Sequence, residues 1–165
     1  MLNNMKLFTK AIPAQKPKTS DSQKIIYLYV AILVIFVLCQ LFKFDEFLEL
    51  LASFSLPGGL TTARLLGSVV VVSEVLALPF LLRLKLSPLM RIISMILGWL
   101  VPAIWLFFAL WLNLTPNSIS NIGFLGVILD LIPGWWTVFI SVALGILAAW
   151  ASWSMWPLNS QKNHK

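Results

Sequence analysis

The chain has 165 residues, 59% hydrophobic and only 11% charged, with a mean hydropathy of +0.91. A soluble domain carries roughly a quarter of its residues charged, so the class is integral membrane, and the length allows one domain. The formal charge of +6 does not point to nucleic acid, because the cations sit in short flanks beside apolar runs, where they act as topology signals.

The single cysteine, Cys39, excludes an intramolecular disulfide, a C-x-x-C redox pair and a zinc cluster. The single histidine, His164, stands next to last and argues against a metal centre built on histidine.

Residues 1–24 hold Lys6, Lys10, Lys16, Lys18 and Lys24 against one acid, Asp21. With Pro13, Pro17 and the Thr19–Ser20–Asp21–Ser22 run, they predict a loose basic tail that anchors the first span and can touch anionic lipid. Residues 25–42 then run without a charge and reach the length of a membrane crossing. The run exceeds the apolar stretch of a signal peptide, and no small-x-small cleavage site follows it. Leu38 stands where a lipoprotein acceptor needs a small residue, so Cys39 reads as a buried or lipid-facing thiol.

Between residues 43 and 56 the pattern changes. Phe44, Phe47, Leu48 and Leu51 fall on one helical stripe, with Asp45, Glu46 and Glu49 off it. That is a short amphipathic helix lying in the interface plane, its acids a solvated face, ended by Pro57–Gly58–Gly59.

The second span, residues 60–82, carries Arg64 near its start and Glu74 well inside. A carboxylate amid Val and Leu costs a few kcal/mol in hydrocarbon, so it is kept only if it faces protein or water, or is held protonated. Ala63 and Gly67 share Glu74's face at 100° per residue, and two small residues there let another helix approach closely. Glu74 is therefore expected to point into the bundle. Arg64 lies roughly 15 Å along the axis, near the interface and out of reach of Glu74. Pro79 is expected to kink the far end.

A basic loop with Arg83, Lys85 and Arg91 leads to the third span, residues 92–112. Gly98 and Pro102, one turn apart, predict a bend that frees carbonyls, and Ser94 with those carbonyls are candidate partners for Glu74. Trp99 and Trp105 read as packing residues. The polar loop 113–121 carries an N-x-T sequon at Asn113, followed by Pro116 and close to the membrane, which argues against glycosylation. Residues 122–133, whose one acid Asp130 is expected to lie on the surface, read as a half-inserted segment or a short helix. The last span, residues 135–156, has Ser141, Gly145 and Ala149 at steps of four with Ser152 beyond, a small-residue seam expected to face Ala63 and Gly67. Residues 157–165 form a second polar tail.

Ten of the twelve cations fall on one side of this arrangement; only Lys43 and Arg64 fall on the other. The expectation is an all-α integral membrane four-helix bundle, with a short interfacial helix between helices 1 and 2 and both termini cytoplasmic. Tyr27, Tyr29, Trp153 and Trp156 are expected to belt the inner face, and Trp111, Trp135 and Trp136 the outer.

FKFDEFLELLASFSLP, the helix VVVVSEVLALPFLL with its buried acid, and NIGFLG…IPGWWTVFISVALGILAAW together resemble the MauE/DoxX-like four-helix membrane proteins of bacteria. The resemblance covers about residues 25–156. It implies a role supporting redox chemistry or protein maturation outside the cytoplasmic membrane, as in methylamine utilisation. Glu74 matches the family's helix-two acid and Arg64 its basic residue, and the resemblance makes both buried functional candidates. This chain departs from the family at residues 121–126, NIGFLG, where MauE-like chains carry cysteines. Thiol exchange needs a thiolate, and none stands there.

Three function classes follow. The first is a non-catalytic membrane subunit that binds a membrane or periplasmic protein partner, or a quinone-like lipid, through the Glu74 pocket and outer loops. The second is a small proton-linked transporter or channel with Glu74 as the titrating group, for which four spans leave a homo-oligomer open. The third is an enzyme, for which the sequence offers no nucleophile–base pair, metal set or phosphate-cradling glycine loop. A protonated hydrogen-bonding knot between helices is the second reading of Glu74, ranked after a functional one, whereas Arg64 reads as a knot or an interface residue.

Overall fold

The computed structural model describes residues 12–13, 19–115 and 118–155. Five helices carry the fold: α1 (Ser20–Phe42), α2 (Phe44–Ser53), α3 (Gly59–Leu81), α4 (Pro88–Leu114) and α5 (Trp135–Met155). Four of them, α1, α3, α4 and α5, are long and apolar enough to cross a membrane. At 1.5 Å per residue they measure about 32–41 Å, against about 30 Å of hydrocarbon. The architecture is the expected all-α bundle with a short helix between the first two long ones. Most of the two tails lies outside the described residues, as do Lys6, Lys10, Lys16, Lys18, Pro116, Trp156, Lys162 and His164.

Local chemistry sets the helix ends more widely than the hydropathy predicts. α1 starts at Ser20 instead of residue 25, because the Thr19 hydroxyl accepts from Ser22 N and caps the first turn. α4 starts at Pro88 instead of residue 92, because Ser87 accepts from Met90 N and a proline suits the first helical position. Ile12–Pro13, expected in a loose tail, pairs antiparallel with Lys85–Leu86.

The long helices form a ring in the order α1, α3, α4, α5, so α3 and α5 stand on a diagonal. Polar stitches join them. Gln40 reaches Glu74 between α1 and α3. Trp99 Nε1 donates to Ser152 Oγ between α4 and α5, and Trp150 Nε1 to Ser22 Oγ between α5 and α1. The seam of α5 therefore does not face Ala63 and Gly67. Ser141, Gly145 and Ala149 line a lipid-side groove of about 330 Å³ with Trp99, Pro102 and Ala103 of α4. Periodicity fixed which residues share a face, but not which neighbour that face meets.

Both prolines are served by a hydroxyl from another helix. Pro102 has no N–H to give to the Gly98 carbonyl, four residues back, and Tyr29 Oη donates to that carbonyl instead at 2.6 Å. Beside Pro79, Ser94 Oγ donates to Leu76 O and accepts from Phe80 N. Ser94 and the Gly98 carbonyl are thus taken up by helix repair, not by Glu74. Tyr29 is fully buried, so it belongs to the core and not to the aromatic belt, whereas Tyr27, Trp135, Trp136 and Trp153 are exposed as expected.

Tyr29→Phe should cost about 2 kcal/mol by leaving the Gly98 carbonyl buried and unpaired. Pro102→Ala in the same chain, which restores an N–H to that carbonyl, should recover most of it. Thermal unfolding in detergent checks both. A Tyr29→Phe protein as stable as wild type would show that the proline-freed carbonyl has another partner.

Candidate functional site

α2 forms as its pattern predicts. Phe47 and Leu51 are buried, while Asp45, Glu46 and Glu49 are exposed, and Lys43 Nζ pairs with Glu46 at 2.9 Å. Its apolar face packs on α3 at Gly67, where a Cβ would lie 2.7 Å from Leu48 Cδ2 and 2.8 Å from Leu51 Cδ1. The small residue Gly67, on Glu74's face of α3, thus admits the short helix α2. Trp111 Nε1 donates to Phe54 O at 2.9 Å and ties the end of α2 to α4.

Residues 118–134 do not form the short helix that was one of the two readings. They make an irregular turn with Asn121, Ile122, Gly123 and Phe124 buried. Asn121 organises it. Its Oδ1 accepts from Gly123 N (2.9 Å) and Leu131 N (3.3 Å), and its Nδ2 donates to Gly126 O (2.9 Å) and Asp130 Oδ1 (3.2 Å). Asp130 is exposed, as read, and also receives this bond. Gly126, at φ +58°, lies against the end of α1: a Cβ there would sit 2.7 Å from Cys39 O. The turn and α2 together cap one end of the bundle.

Glu74 lies beneath this cap, fully buried on the inward face of α3. Its Oε1 accepts from Trp105 Nε1 of α4 at 3.2 Å and from Gln40 Nε2 of α1 at 3.3 Å. Gln40 Nε2 also donates to the Phe124 carbonyl at 3.2 Å. One amide group therefore links the acid to the cap. Aromatic rings enclose the indole: Phe124 at 4.8 Å, Phe108 at 5.6 Å and Phe36 at 6.2 Å between centroids.

Glu74 Oε2 and Gln40 Oε1 are buried and have no partner among the described residues. An ionised carboxyl carries acceptors only, so two donors fix one oxygen and the second is left unsatisfied. A proton on Oε2 would turn that oxygen from an unmet acceptor into a donor. In chemical terms the cluster is a single acid, fixed in place by an amide and an indole, that can exchange one proton or receive one hydrogen bond.

The other predicted site residue, Arg64, is not part of it. Arg64 is exposed near the start of α3, a correction to its reading as a buried candidate. Its place so close to the helix start keeps the guanidinium out of the bundle. Gln40 and Phe124 were missed. Tyr29, Leu33, Phe36 and Gln40 recur at steps of four, three and four, so one face of α1 already carried the signal. Among the described residues no group of three His, Cys, Asp or Glu side chains could hold a metal ion. No family model, curated protein or solved structure matches the chain.

Proposed function

We propose that this chain is a non-catalytic membrane subunit of the MauE/DoxX type, set in the bacterial cytoplasmic membrane with both termini inside. It would support redox or protein-maturation chemistry on the outer side, akin to that of methylamine utilisation. The observation that carries the reading is the bond from Gln40 to both Glu74 and the Phe124 carbonyl, because it joins a buried acid to a surface cap. A partner, or a quinone-like lipid, that engages the cap would be felt at the acid through a single side chain. The ten-to-two distribution of cations supports the orientation. The proton-linked transporter is the weaker reading, because Glu74 is fully buried and bonded to the Trp105 indole, which Phe36, Phe108 and Phe124 enclose.

The test is the thiol state of exported cysteine-containing proteins in cells carrying wild type, a deletion or Glu74→Gln. The deletion and Glu74→Gln should shift the same proteins towards their unpaired form, with Glu74→Gln still abundant in the membrane. Unchanged thiol states in the deletion would sink the redox role, and proton flux through vesicles holding the purified protein would favour the transporter.

A further inference from the structure

At the end of the bundle opposite the cap, α1 and α3 part to leave a cleft of about 250 Å³ lined by Gln23, Ile26, Tyr27, Leu81, Leu82 and Arg83. We propose that this cleft binds the phosphodiester of an anionic phospholipid. The lining divides into two chemistries. Ile26 and Leu81 are buried and, with Leu82, form an apolar wall suited to acyl chain. Arg83, Tyr27 and Gln23 form a polar rim of hydrogen-bond donors, and a guanidinium fork matches phosphate geometry.

The rim is set towards an acceptor. Gln23 Nε2 donates to Tyr27 Oη at 3.1 Å, so the phenol oxygen already accepts and its own proton is directed elsewhere. Arg83 holds a left-handed backbone, φ +58°, just past the end of α3, a position where glycine is the easier residue. The field agrees. Among the described residues, Lys24, Arg83, Lys85 and Arg91 belong to this end, against one acid, Asp21.

The experiment titrates the purified full chain in neutral detergent with phosphatidylglycerol, with phosphatidylcholine of the same acyl length and with inorganic phosphate. Native mass spectrometry counts the retained ligand. Phosphatidylglycerol should be retained about tenfold more tightly than phosphatidylcholine, and Arg83→Gln should remove about that factor. Arg83→Lys should keep part of the preference, Tyr27→Phe should weaken it a few-fold, and Lys43→Gln, which removes one charge at the other end, should leave it unchanged.

Equal retention of the two lipids, or an equal loss in Lys43→Gln and Arg83→Gln, would overturn the proposal. Inorganic phosphate that binds and displaces the lipid would overturn the lipid as the source. Phosphate that does neither supports it. Should Arg83→Gln fail to fold, Tyr27→Phe and Gln23→Leu carry the same test.

Discussion

Glu74→Leu should destabilise the bundle by about 3 kcal/mol, whereas Glu74→Gln should leave it folded and abundant. Leucine removes the oxygen to which Trp105 Nε1 and Gln40 Nε2 both donate. Each buried donor left without its acceptor costs about 1–3 kcal/mol, and the amide keeps its second bond to the Phe124 carbonyl, which limits its share. Glutamine retains an acceptor oxygen in the same place and loses only the capacity to exchange a proton. Thermal unfolding in detergent and membrane abundance separate the two variants. If Glu74→Leu is as stable as wild type, the acid does not hold these donors. If Glu74→Gln is stable and functionally silent, the residue is a knot and nothing more.

Gly126→Ala should be the most damaging of the small substitutions, at about 3 kcal/mol. A left-handed backbone costs an L-residue roughly 1–2 kcal/mol, and pushing packed backbone aside costs about 1–3 more. The added methyl would meet Cys39 O at 2.7 Å and Gln40 Cα at 3.1 Å, both main-chain atoms of α1 that do not move independently. Gly59→Ala is the control: its φ is +67°, but nothing lies within 4 Å, so only the backbone part remains. Lifting the turn from α1 should also speed maleimide labelling of the half-buried Cys39 in Gly126→Ala and not in Gly59→Ala. Equal stabilities for the two variants would show that the turn is not seated on α1.

Much of this fold was legible in the sequence because hydrocarbon imposes a simple rule: long apolar runs become helices. The amphipathic stripe of α2 and the inward direction of Glu74 were equally plain, since both follow from 100° per residue. Legibility stopped where position depended on a partner. The α5 seam met α4 because the ring order places α3 across the bundle, and no single helix encodes that order. Ser94 was expected beside Glu74 and Tyr29 in the inner aromatic belt, but the prolines on other helices claim both. The turn at residues 118–134 was hardest of all, because its shape comes from one asparagine side chain and not from any repeat.

That asparagine sets the character of the cap. Asn121 closes its turn with four hydrogen bonds from one side-chain amide, and the chain's one thiol lies in α1. A lid fastened this way has no bond that reductants cut or oxidants form. It keeps one shape through swings in redox potential.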